Sequence, residues 1–403
     1  MKRSENRILT THVGSLIRPK ELRDLATIAN DSPQNKERYE NYLRGSVAEV
    51  VKMQAQVGID IVNDGEFGKS SWANYILERI TGFEQRPSEV RPTLWLGRDR
   101  DRFPEVMAAE FPWMASGIPI EACVGPIEYR DRSSIQRDIQ NLKAALRSVN
   151  VEEAFLPVVA PASAAYDGLN EYYPTEKKYI YAIAEALREE YRAIYKSGLI
   201  VQVDDAVLAN MYDELVQKSP ENYRRWAGLR IEALNHALQG IPEDRVRYHV
   251  CFGSWHVPHL SDAPLAEIVG FILSVRAGAY SIEAANPRHE HEWRVWETGK
   301  LPEGKILIPG VVTHHTMTVE HPRLVADRIL RFARLVGREN VIAGTDCGFA
   351  QADRIERVPA SVMWAKFEAL VEGARLASAE LWPKGKSKRP SSSPRKRKAI
   401  KRR

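Results

Sequence analysis

Short apolar runs rich in β-branched residues recur along the chain, and each ends in polar residues. They are ILTTHVGSL (8–16), IDIVNDGE (59–66), AFLPVVAPAS (154–163), LIVQVDD (199–205), RYHVCFG (247–253), AYSIEAAN (279–286), ILIPGVV (306–312) and VIAGTDCG (341–348). Runs of this length read as strands. Between them apolar residues return at helical spacing, as in KKYIYAIAEALREEYRAIYKSG (177–198) and PRLVADRILRFARLVG (322–337). Strand and helix in alternation predict a parallel sheet. Eight such strands predict an α/β fold of the (β/α)8 TIM-barrel type with insertions. The stretch 67–153 holds more than one helix. Its segment PIEACVGPIEY (119–129) reads as a hairpin-like insertion before the third barrel strand. Neither an internal repeat nor a Pro/Gly-rich linker divides the chain, so one barrel domain is expected over 1–382, with a disordered basic tail over 383–403.

Composition changes this picture little, and charge changes it only at one end. Of 403 residues, 44% are hydrophobic and 28% charged, which fits a globular protein. No apolar run reaches the roughly 20 residues of a membrane span. The start MKRSENRILTTHVGS lacks the apolar block of a signal peptide. Three cysteines, Cys123, Cys251 and Cys347, make no disulfide framework. A cytoplasmic protein without a membrane partner is the expectation. The segment KGKSKRPSSSPRKRKAIKRR (384–403) carries eleven Lys and Arg and no acid, so without it the net charge moves from +5 to −6. The body is mildly acidic. The tail is a solvated extension by composition, with polyanion binding as its functional alternative.

The candidate chemistry lies at the strand ends, which a barrel gathers on one face. Ser15, Asp64, Glu66, Ser163, Asp204, Asp205, His249, Cys251, Glu283, His314, His315, Asp346 and Cys347 all fall there. His249 and Cys251 are two apart on a predicted strand, so both side chains point to one face. With Cys347 and Glu283 they form an N, S and O donor set that suits zinc. Cys123 reads as a small buried hydrophobe. His289 and His291 in RHEHEW read as part of a charged loop. His256 and His259 line the pocket or cap a local segment.

TTHVGSLIRP (10–19), DGEFGK (64–69), QVDDAVLA (202–209), HVCFG (249–253), IEAANPRHEHEW (282–293), PGVV (309–312) and GTDCG (344–348) together resemble the catalytic barrel of cobalamin-independent methionine synthase. Its short single-barrel relatives, which include the epoxyalkane:coenzyme M transferases, look closer still. The resemblance covers roughly residues 7–380. It implies a zinc-dependent thiol S-methyltransferase of methionine biosynthesis, acting on a thiol such as homocysteine with a 5-methyltetrahydrofolate-type donor. It implies zinc ligands at His249, Cys251, Glu283 and Cys347. Val13, Gly14 and Ser15 then contact homocysteine, Glu66 and Asp204 bind substrate, and His314 or His315 is the catalytic acid. The family's H-x-C-x-C is here H-x-C-x-G, with Gly253 in the third place, and Ala206 replaces the proline after the paired acids. Both departures spare the zinc ligands and bear on the donor. The alternatives are an alkyltransferase of the coenzyme M kind and a non-catalytic zinc-bearing scaffold with a nucleic-acid-binding tail. Partners are thus a small-molecule thiol and a methyl or alkyl donor; the sequence carries no signature of oligomeric state.

Overall fold

A computed structural model describes residues 1–89, 95–164, 166, 168–352 and 355–383. The basic segment 384–403 lies outside them. Eight parallel strands form one sheet: β1 (Leu9–Thr10), β2 (Ile61–Val62), β3 (Glu153–Val159), β4 (Ile200–Asp205), β5 (Val246–Val250), β6 (Ala279–Ile282), β7 (Ile306–Val312) and β8 (Ile342–Thr345). Neighbours follow chain order from β2 to β8. β8 pairs with β1, and a parallel bridge from Thr11 to Ile61 closes the ring. This is the (β/α)8 barrel that the alternating pattern predicts.

The helices outside the ring follow from capping and apolar spacing. Glu176–Lys196 starts at Thr175, whose side chain accepts from Lys178 N. It buries Ile180, Ile183, Leu187, Tyr191 and Ile194. Pro322–Val336 opens with proline at its first position and buries Val325, Ile329 and Phe332.

Alternation along the strands builds the barrel interior in layers. Leu9, Ile61, Phe155, Ile200, Ala279, Ile306, Ile308 and Ile342 form one buried cluster, drawn from seven strands. Phe155 lies under the Arg247 guanidinium of β5, 4.0 Å from its ring centroid. Toward the C-terminal ends the inward positions turn polar. Register sets them side by side: Asp204 is opposite His249, and His249 opposite Ser281.

The segment between β2 and β3 differs in part from expectation. Ile118–Cys123 is a strand, but its antiparallel partner is Phe83–Glu89, about thirty residues upstream, and Leu169–Asn170 adds a parallel third strand. A distant pairing replaces the local hairpin. Phe83–Glu89 is polar and holds a proline, which suits an edge strand and hides its periodicity. Between the two strands lie the helices Asp99–Arg102 and Pro104–Glu110.

Candidate active site

A cavity of about 360 Å³ opens at the C-terminal end of the barrel. Its walls include Val13, Ser15, Glu66, Asp204, His249, Cys251 and Cys347, which come from or follow five different strands. The ligating atoms of His249, Cys251 and Cys347 all lie within 4.8 Å of one another. The two sulfurs are 3.3 Å apart and share a hydrogen bond. That bond, helped by the His249 imidazole and opposed by burial, holds the Cys347 thiol well below its usual range. The same contact, with burial, pushes Cys251 up. His249 Nδ1 meets Ser281 Oγ at 3.3 Å, while its Nε2 is buried without a hydrogen-bond partner. An orphaned imidazole nitrogen beside two sulfurs is a donor set that fits a soft or borderline metal ion.

Glu283 stands in a second buried group with His314 and Asp346, again within 4.8 Å of one another. Its carboxylate accepts from Phe252 N and Asn286 Nδ2, both at 2.9 Å. Burial and the nearby Asp346 carboxylate push it well above its ordinary range. Asp346 Oδ1 accepts from the backbone N–H groups of Ala284 and Ala285, each at 2.8 Å. Three of the four sequence-predicted ligands therefore converge, and the fourth is tied to the neighbouring loop.

Glu66 is held at φ 60°, a costly conformation for a side-chain-bearing residue. Its N–H donates to Asp64 Oδ1 at 3.0 Å. Gly14 leaves room for its carboxylate, since a Cβ there would stand 2.7 Å from Glu66 Oε1. Lys69 Nζ lies 3.4 Å from Glu66 Oε2 and donates to Pro157 O. Gln202 Nε2 donates to Asp204 Oδ1 at 2.7 Å and to Val13 O. Burial, with Glu66 nearby, pushes the Asp204 carboxyl up to about 8. Arg18 donates to the backbone carbonyls of Glu66 and Lys69, and Arg288 to Leu260 O.

Among the described residues, His314 and His315 do not line this cavity. His314 is fully buried, with both ring nitrogens unpartnered. Burial drives its imidazole well below the usual range and brings His315 down to about 4. His289 is a packing residue, stacked on Phe252 and bonded to Asp262 and Glu292, while His291 is exposed. His259 is bonded to Asp262 and Trp255 O. Cys123 is buried in the small sheet.

Sequence reasoning missed the aromatic part of the wall: Trp72, Trp95, Trp113, Tyr166 and Trp255. Trp255 sits two residues past Gly253, and nine tryptophans in the chain were a signal open to reading. A Cβ at Gly253, whose φ is 98°, would come within 2.1 Å of the Trp255 ring. The family's third-position cysteine is absent where Trp255 fills the space.

Comparison with known proteins agrees with this architecture. The chain matches the family model described as the cobalamin-independent synthase catalytic domain over residues 8–90 and 166–366. It is 23% identical to a methionine synthase of Thermococcus kodakarensis over 385 residues, covering 94% of this chain and 96% of that protein. It is 24% identical to one from Saccharolobus solfataricus over 382 residues, covering 94% and 97%. A solved B12-independent methionine synthase from Shewanella sp. W3-18-1, in complex with selenomethionine, superposes with a TM-score of 0.70 at 19% identity, over 93% of this chain and 99% of that one. The family model spans well over half of the chain and takes in every barrel strand but the third, so the chain belongs to the cobalamin-independent synthase catalytic-domain family.

Proposed function

We propose that the protein is a zinc-dependent methyltransferase that moves a methyl group onto a thiol, with homocysteine as the acceptor. The observation that carries this reading is the buried cluster of His249, Cys251 and Cys347 at the floor of the cavity, beside two carboxylates. Family membership and the names of the relatives support it. His249, Cys251 and Cys347 would hold the ion, and Glu283, at the end of the neighbouring strand β6, would be the fourth, exchangeable ligand. Bound there, zinc lowers the pKa of a coordinating thiol so that it is present as the nucleophilic thiolate.

The chain's own groups do the rest. Glu66 meets the acceptor's ammonium by a charge-assisted hydrogen bond, and Asp204, whose raised carboxyl the arriving cation draws back to its ionised form, adds a second. Ser15, on the same wall, orients its carboxylate end. Gln202 fixes the Asp204 carboxylate from below. The coenzyme M reading fits less well. A sulfonate calls for cations, yet the described wall carries Glu66, Glu121, Asp204 and Asp205 against a single arginine, Arg357. That arginine is already paired with Glu110 at 2.6 Å.

The test compares homocysteine with a thiol of similar length that lacks the amino group. Glu66→Gln or Asp204→Asn should cut kcat/KM for homocysteine by a hundredfold or more, since an ammonium buried without its partner costs about 3–5 kcal/mol. The amine-free thiol should be nearly unaffected, and zinc content unchanged. Equal losses with both thiols, or no use of homocysteine by the wild type, would refute the assignment.

A further inference from the structure

Part of the cavity wall comes from the insertion between β2 and β3, whose residues beyond 90 the family match leaves out. From this insertion come Trp95, Trp113 and Glu121. Trp95 stacks on Trp255 with ring centroids 4.3 Å apart. Phe111 supports both edge-on, at 5.4 and 6.0 Å, and meets Trp113 at 6.0 Å. Trp72 and Tyr166 form a second stacked pair on the same wall, at 6.4 Å.

The insertion is strapped to the loops that carry the cysteines. Asp99 accepts from Leu260 N at 2.7 Å and from Ser261 Oγ at 3.0 Å. Glu110 accepts from His256 N at 3.1 Å and from Arg357. The aromatic wall is therefore fixed in front of the sulfur cluster. It is also acidic. Asp205 is occupied by Ser163, Tyr248 and Leu208 N, and Glu66 and Asp204 lie deep beside the cluster. Glu121, half-buried on the same wall, accepts a 3.3 Å hydrogen bond from Gln85 Nε2. Electron-rich rings and a carboxylate lining one wall suit an alkylated cation, which they attract by cation–π interaction and charge.

Resting on the thiol methyltransferase reading above, we propose that this wall is the donor subsite, and that it takes a methyl donor whose methyl sits on a positively charged sulfur or nitrogen, a sulfonium or quaternary ammonium. The reaction balances without a proton donor. A lone pair of the acceptor thiolate forms the new S–CH3 bond. The old CH3–S⁺ or CH3–N⁺ bond breaks with its electron pair staying on the leaving atom. That atom departs as a neutral sulfide or tertiary amine. This agrees with His249 being the sole histidine among the described residues of the wall, where a folate nitrogen would leave needing a proton.

The experiment titrates the full-length chain by tryptophan fluorescence with choline and with its neutral isostere 3,3-dimethylbutan-1-ol, then with trimethylsulfonium and glycine betaine. Choline should bind roughly tenfold more tightly than the isostere. Trp255→Leu and, independently, Glu121→Gln should remove most of that preference, while Trp255→Phe keeps it. Equal binding of the two, or cation binding indifferent to both Trp255→Leu and Glu121→Gln, overturns the proposal. Methyl transfer to homocysteine is then measured from trimethylsulfonium, glycine betaine and 5-methyltetrahydrofolate, and transfer from either cation supports the subsite. If the folate alone serves, the donor assignment fails and the methyltransferase reading stands. If cations bind in the predicted way but no donor methylates homocysteine, a cation site stands, while its role as donor subsite and the methyltransferase reading both fail.

Discussion

Gly253 is where the chain departs from its family's ligand motif, and the structure gives the departure a measurable cost. Two terms act on Gly253→Ala. The backbone is at φ 98°, where an L side chain is strained by about 1–2 kcal/mol. The new Cβ would also lie 2.1 Å from the Trp255 ring, which must move, and overpacking of this kind costs about 1–3 kcal/mol. The sum is about 2–5 kcal/mol. Gly240 supplies the control: its φ is 86°, yet nothing lies within 4 Å of a Cβ built there. Gly240→Ala should therefore cost the backbone term alone. Urea denaturation of both variants, of Trp255→Ala and of Gly253→Ala combined with Trp255→Ala closes a double-mutant cycle. The coupling between positions 253 and 255 should come out at about 1–3 kcal/mol, with the double variant losing little more than Gly240→Ala beyond the cost of Trp255→Ala itself. Equal costs for Gly253→Ala and Gly240→Ala would refute the claim that Trp255 occupies the place of the missing cysteine.

Asp64 titrates against folding. Burial, with Asp138 nearby, raises its carboxyl from 3.8 to about 7. The folded chain thus holds a proton that the unfolded chain has released, so stability falls as pH climbs from about 4 to 7, by roughly 4 kcal/mol in all. Asp64→Asn should abolish that part of the slope in denaturation curves across this range, and an unchanged slope would count against it. Cys123→Ser should retain the metal content and turnover of the wild type, because its sulfur, bonded to Gly125 O, belongs to the small sheet.

Much of the fold was legible because each barrel strand announces itself as an apolar run with a polar end. All eight runs fall on the observed strands. The β7 run, 306–312, is hydrogen-bonded throughout, whereas in β1 only Leu9–Thr10 of 8–16 is, because the remainder is the site-bearing loop. Spacing alone aligned His249 with Cys251, since a strand's period of two is exact enough over three residues. It could not place Glu283, whose carboxylate is held by Phe252 N and Asn286. Nor could it pair Phe83–Glu89 with Ile118–Cys123, a contact between a polar edge strand and a partner thirty residues on. The aromatic wall was hidden for the same reason. Trp72, Trp95 and Trp255 are far apart in sequence and meet only once the insertion folds back over the barrel mouth.

The central claim is a thiolate-bound zinc at His249, Cys251 and Cys347. X-ray absorption at the zinc edge of the full-length protein, with metal analysis, tests it most directly. The account predicts about one zinc per chain with two sulfur neighbours at ~2.3 Å and nitrogen or oxygen donors completing the shell, and a third sulfur on adding homocysteine. Cys251→Ser and Cys347→Ser should each lose the metal. A shell without sulfur, or zinc retained in full by both variants, would contradict it.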